Sequence, residues 1–159
     1  MLVIVHALVG GLLGEKIHSI PLIIISSLVL HFLMDIIPHY DANFDKKRFL
    51  TTGEAILNKR AKIFFITDHI IALIIIAALY QMFDSKRLLI GAFVALVPDI
   101  VGLGYKTKLR GNRYYMKFLK FHSKIQRHTT FKKSMISQGI IIFFLVCIYL
   151  IIYRQQLGI

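Results

Sequence analysis

The chain reads as an all-α polytopic membrane bundle of about five spanning helices, the first one short, with a further amphipathic helix in the cytoplasmic interface. Three observations predict this. Apolar residues make up 57% of the 159 positions, above the roughly 45–50% of ordinary soluble domains. They come in blocks rather than in amphipathic alternation, and the mean hydropathy is +0.68. All 20 Lys and Arg residues fall outside the apolar runs 2–14, 20–37, 63–83, 88–104 and 134–153. The length is that of one domain, and no repeat, low-complexity stretch or Gly/Ser linker divides it. Residues 1–159 are therefore expected to form a single integral-membrane domain.

The first run, widened to about 2–18, is compatible with a tilted span, a span extended by Ile17–Ile20 or a re-entrant element. It lacks the basic leader and small-residue cleavage site of a signal peptide, and a disposable segment has no use for His6. Runs 20–37 and 88–104 are marginal in length but very apolar apart from their aspartates. Runs 63–83 and 134–153 contain no Lys, Arg or Glu and are long enough for ~30 Å of hydrocarbon. The single cysteine, Cys147, excludes an intramolecular disulfide and reads as a packing residue. Between the last two runs, RYYMKFLKFHSKIQRH sets Tyr114, Phe118, Phe121 and Ile125 at spacings of 4, 3 and 4. That spacing predicts an interfacial helix over about 113–127, started by a turn at Gly111–Asn112.

Charge orients the bundle. The net charge of +12 is distributed by topology rather than as a nucleic-acid surface. Loop 38–62 holds six basic residues and loop 105–135 ten more, sixteen against the four at Lys16, Lys86, Arg87 and Arg154. This positive-inside bias places the N-terminus and both long loops in the cytoplasm, at a plasma or inner membrane. There they attract anionic lipid headgroups, the expected partner; nucleic acid is not.

Three aspartates interrupt the apolar runs: Asp35, Asp68 and Asp99. A charge on a helix at the bilayer centre costs about 2.5–3.5 kcal/mol on insertion scales and marks a functional site by default. By the topology, His6, Asp35, Asp68, His69 and Asp99 all fall in one layer just beneath the cytoplasmic interface. His31 and Asp35 are four residues apart, on one helical face that Ser27 extends. Pro38 ends that helix and throws His39 and Asp41 into the loop above. Gly10 and Gly14 share a face with His6, where another helix or a second copy of the chain can pack closely. Ala92, Ala95, Asp99 and Gly102 form a small-residue face, and Pro98 frees the carbonyl of Val94. The candidate metal ligands are thus His6, His31, Asp35, His39, Asp68, His69 and Asp99. Asp41 and His122, the latter on the apolar side of the interfacial helix, are candidate catalytic groups. His18 and His128 read as headgroup-level residues. The alternative for each intramembrane aspartate is a structural hydrogen bond between helices or a proton-sharing carboxyl pair.

An early histidine followed by ALVGGLLG, then HFLMDIIPHYD, TDH and VPDIVG, resembles the small membrane-bound metal-dependent hydrolases of bacteria. The D-x-x-P-H-x-D element is more distantly similar to the His/Asp metal sites of zinc-dependent phospholipases C. The resemblance covers residues 1–104, with a fainter echo in FHSKIQ at 121–126, and implies a metal site more firmly than a substrate. Where the family often carries P-D-x-D-H, this chain has VPDIVG; Asp41 or His122 would have to supply the missing group.

Carboxylates mixed with imidazoles suit Zn²⁺ best, then Mn²⁺ or Fe²⁺, as one or two ions. Zinc can lower the pKa of bound water to about 7, and water so activated serves phosphoester hydrolysis. A lipid or lipid-linked phosphoester reaches such a layer directly. Two other classes stay open: a proton or metal-ion carrier using the same acids, and a structural membrane partner. No G-x-S-x-G, P-loop or H-E-x-x-H motif points to other chemistry.

Overall fold

A computed structural model describes residues 1–40, 45–54 and 59–158. Asp41, a candidate catalytic group, lies outside them. Seven α-helices and two 3₁₀ turns account for the described residues, with no strand among them. The helices are α1 (Val3–Lys16), α2 (Ile20–Asp35), α3 (Lys46–Thr52), α4 (Lys59–Phe83), α5 (Lys86–Leu103), α6 (Arg113–Ile125) and α7 (Phe131–Leu157).

Each apolar run is a helix, and the predicted interfacial helix is α6. Asn112 caps α6, its side chain accepting from Tyr114 N–H at 2.8 Å and Tyr115 N–H at 3.1 Å. Loop 38–62 contains an unpredicted element, α3. The Asp45 carboxylate starts it by accepting from Arg48 N–H, and Gly53 ends it at φ +72°, a left-handed conformation suited to glycine.

α1 is the axis of the bundle, touching α2, α4, α5 and α7. It is apolar all round and mostly buried, as a central helix must be. Its closest neighbour is α5. A Cβ added at Gly10 would lie 2.3 Å from the Gly91 carbonyl oxygen, and one at Gly14 would lie 2.0 Å from that of Arg87. Backbone meets backbone here, which only glycine allows. Of the two occupants expected for the Gly10/Gly14 face, another helix of the chain, α5, is the one that packs on it. Of the small face predicted on α5, Ala92 and Ala95 are buried, whereas a Cβ at Gly102 would meet nothing within 4 Å. α7 is held to α1 by two buried polar residues: Gln138 accepts from Leu2 N–H at 2.6 Å, and Tyr149 donates to the Leu8 carbonyl at 2.8 Å.

Two helices, α4 and α7, are long and apolar enough to cross a membrane; α2 is a shorter apolar helix of 16 residues. α1 has 14 residues, about 21 Å at ~1.5 Å per residue. The outward faces of α2, α4 and α7 are apolar, with Ile25, Ile74 and Phe143 each about 60% exposed.

Candidate metal centre

Five of the candidate residues converge. Ligand atoms of His31, Asp35 and His122 lie within 4.8 Å of one another, as do those of His6, His31 and Asp99. They come from four helices. His6 lies in the second turn of α1, His31 and Asp35 one turn apart on α2, Asp99 near the end of α5, and His122 on the buried face of α6.

The chain after α2 explains how α6 reaches this point. Arg127 N–H donates to the Asp35 carbonyl at 3.3 Å, His39 N–H to the Arg127 carbonyl at 2.8 Å, and Thr129 N–H to the His39 carbonyl at 2.9 Å. Pro38 ends α2 so that the two strands of chain run side by side as a single parallel bridge. That stitch fixes the C-terminal end of α6 above Asp35 and turns His122 downward.

Asp35 is the hub. Its Oδ1 lies 3.2 Å from His6 Nε2 and 3.1 Å from the Met1 amino nitrogen. Its Oδ2 lies 2.7 Å from His122 Nε2 and 3.5 Å from His31 Nε2. His31 Nδ1 lies 2.7 Å from the Ala95 carbonyl. A carbonyl only accepts, so Nδ1 carries the proton, and Nε2 of the neutral ring presents a lone pair to the cluster. A backbone carbonyl orients metal-binding histidines in this way. His31 Nε2 also faces His122 Nε2 at 3.1 Å. His122 Nε2 is thus within reach of both Asp35 Oδ2 and His31 Nε2, and a cation held there would take the place of a proton.

The spacings fit a divalent ion. Ligand atoms about 2.1 Å from a metal stand roughly 3.0 Å apart in an octahedral site and 3.4 Å apart in a tetrahedral one. The His31, His122 and Asp35 atoms form a triangle with sides of 3.1, 2.7 and 3.5 Å. Buried atoms without a partner among the described residues include His6 Nδ1 and Asp99 Oδ2. Buried polar atoms are rarely left so, and a cation's bound water would give the Asp99 oxygen a partner. These buried His/Asp groups can hold a metal ion.

The remaining candidates lie outside the two groupings. Asp68 accepts from Val3 N–H at 2.7 Å and from Ile4 N–H at 3.4 Å. It caps α1 from a neighbouring helix, meeting donors that a helix start leaves unpaired. His69 turns Nδ1 back to the Phe65 carbonyl at 2.8 Å and packs at a tilt on the Phe65 ring, with its buried Nε2 left without a hydrogen-bond partner among the described residues. His39 is buried against His128, with Nδ1 2.9 Å from the Ile37 carbonyl. Expected as ligands, Asp68, His69 and His39 thus stand apart from the two groupings, Asp68 as a helix cap and each histidine with one ring nitrogen on a carbonyl. His122, expected as a catalytic group, stands among the ligand atoms. Gln126 was not foreseen: its Nε2 lies 3.5 Å from both Asp35 Oδ2 and His122 Nε2. Its place one turn beyond His122 was the available signal.

Asp68→Ala separates cap from ligand. It is expected to cost about 0.5–2 kcal/mol of stability, the usual loss for a helix cap, while leaving metal stoichiometry at the wild-type value. Thermal melts and metal analysis on one preparation check both, and loss of metal from a well-folded Asp68→Ala protein would return Asp68 to the ligand set.

Comparison with protein-family models, with curated proteins and with solved structures finds no match to this chain.

Proposed function

We propose that the protein is an integral membrane enzyme that hydrolyses a phosphoester of a membrane lipid or lipid-linked intermediate at the cytoplasmic leaflet. The convergence of His6, His31, Asp35, Asp99 and His122 in two groupings that share His31 carries the reading. The donor set suits Zn²⁺, with Mn²⁺ or Fe²⁺ as alternatives. Such an ion supplies a Lewis acid and a water acidified to about neutrality. Asp35, His31 and His122 hold it, and the Ala95 carbonyl keeps His31 in the correct tautomer. Asp99, with Oδ2 unpartnered, is placed to take the water's proton; Asp41 keeps that role as the alternative.

Two long apolar helices, α4 and α7, support a substrate taken from the bilayer, and α1, α2 and α5 are proposed as spans beside them. The apolar exposed faces suit acyl chains better than water. The sixteen-to-four basic bias puts α6 and the cluster on the cytoplasmic side. A site gathered at one leaflet favours hydrolysis over transport, whose sites usually sit at the midplane between repeated halves.

Purified protein in mixed micelles is expected to release phosphate or a headgroup from a lipid panel, to stop with chelator and to resume with Zn²⁺ or Mn²⁺. Asp99→Asn is expected to lower turnover by about 10²–10⁴-fold, the usual worth of a general base, with metal still bound. Turnover insensitive to chelator excludes the mechanism. Metal flux in proteoliposomes with no hydrolysis would establish a carrier instead.

A further inference from the structure

Beside the cluster, at the C-terminal ends of α2 and α6, lies an open pocket of about 590 Å³. Lys46, Lys124, Arg127 and His128 line it, opposite an apolar wall of Ile36, Pro38 and Ile125. None of its lining residues among those described is acidic. The pocket of about 360 Å³ formed by the α4–α5 turn and the ends of α1 and α7 differs, because Glu15 and Asp84 there stand beside Lys86 and Arg87. Gln126 also lines the first pocket, and its amide nitrogen reaches Asp35 and His122 at 3.5 Å each. One residue thus faces both the pocket and the cluster.

The geometry points to this pocket as a binding site for a phosphate group, with Lys124 and Arg127 as its cationic donors and the Ile36–Pro38–Ile125 wall receiving the apolar stem of the molecule that bears it. Arg127 is held firmly for that task. Its backbone N–H and carbonyl both belong to the stitch to Asp35 and His39, so its side chain emerges from a fixed point next to the hub carboxylate. The carbonyls that end α6 would repel an anion. Lys46 offsets this by donating to the Gln126 carbonyl at 2.6 Å and the Lys124 carbonyl at 3.2 Å. Lys124 and Arg127 are exposed and face the open pocket, and an arginine fork beside an ammonium is the usual means of holding a phosphate dianion. A phosphate seated here needs only the width of the Gln126 amide to reach the cluster. The inference builds on the lipid phosphoester reading, but its test measures binding without turnover, so either can fail while the other stands.

The full chain in neutral detergent, held in chelator so that nothing is hydrolysed, is titrated calorimetrically with dioctanoyl phosphatidate, dioctanoylglycerol and inorganic phosphate. Phosphatidate is expected to bind at least tenfold more tightly than dioctanoylglycerol. The Lys124→Gln/Arg127→Gln double variant, changed only at exposed side chains, should lose that advantage while binding dioctanoylglycerol unchanged. Lys117→Gln/Lys120→Gln, on the same helix but away from the pocket, should match wild type. Phosphatidate binding at least tenfold tighter than inorganic phosphate assigns a lipid headgroup; equal affinities assign a soluble phosphate in the same pocket. Undiminished phosphatidate binding by the Lys124/Arg127 variant, or no preference for phosphatidate in wild type, overturns the proposal.

Discussion

Asp35→Ala is expected to abolish divalent-metal binding by the His/Asp cluster. Asp35 is the one residue that touches three imidazoles, at 2.7, 3.2 and 3.5 Å through its two oxygens. Without it, His31 and His122 face each other with no anion between them, and the charge that balances a divalent ion is halved to Asp99 alone. Outer-shell partners of metal ligands are each worth about 10–100-fold in affinity, and a direct carboxylate ligand is worth at least the upper figure. Element-resolved analysis of detergent-purified protein should show metal falling from about one per chain to under about a tenth. Asp35→Asn, which keeps the shape and loses the charge, should give the same result. Stability should also suffer, because each buried nitrogen left without its acceptor costs about 1–3 kcal/mol. Full metal occupancy in both variants would remove the basis for the centre.

Gly91→Val is expected to be the most damaging single change to the fold. A Cβ at residue 91 would sit 2.1 Å from the Gly10 carbonyl oxygen and 3.0 Å from Gly14 N. Those atoms are backbone of the central helix, so no side chain can rotate away. Overpacking a core ordinarily costs about 1–3 kcal/mol, and here α1 and α5 must separate along their whole contact, so the loss should exceed that range. Gly139→Val is the matched control, since a Cβ there meets nothing within 4 Å. Thermal melts and size-exclusion profiles in one detergent compare them. If Gly91→Val melts like Gly139→Val, the close crossing of α1 and α5 is wrong.

Much of this architecture was legible in the sequence because apolar blocks and charge placement act locally. The five apolar helices and the interfacial helix follow from them, and so does the layer that brings His6, Asp35 and Asp99 together. The i, i+4 spacing put His31 beside Asp35, and the 4–3–4 spacing put His122 on the buried side of α6. What the sequence hid is tertiary. Asp68 looks the same whether it binds an ion or caps a helix, and only the arrival of Val3 and Ile4 at α4 decides. His39 follows a helix-ending proline, but where it turns depends on pairing with a segment almost ninety residues later. The sequence marked Gly10 and Gly14 as a face where another helix can pack closely, but not that Gly91 of α5, four residues before Ala95, is the residue that meets Gly10.

The position of α1 has a consequence for how the protein is made. Its first amides are satisfied by Asp68, 65 residues downstream, its Leu2 N–H by Gln138, 136 residues away, and its Leu8 carbonyl receives Tyr149 across 141. During synthesis none of these partners exists when residues 1–16 emerge. A 14-residue helix with a histidine in it and three glycines along it is a weak candidate for independent insertion. It must wait until α4, α5 and α7 close around it. A segment translated before its partners is the last to reach its place.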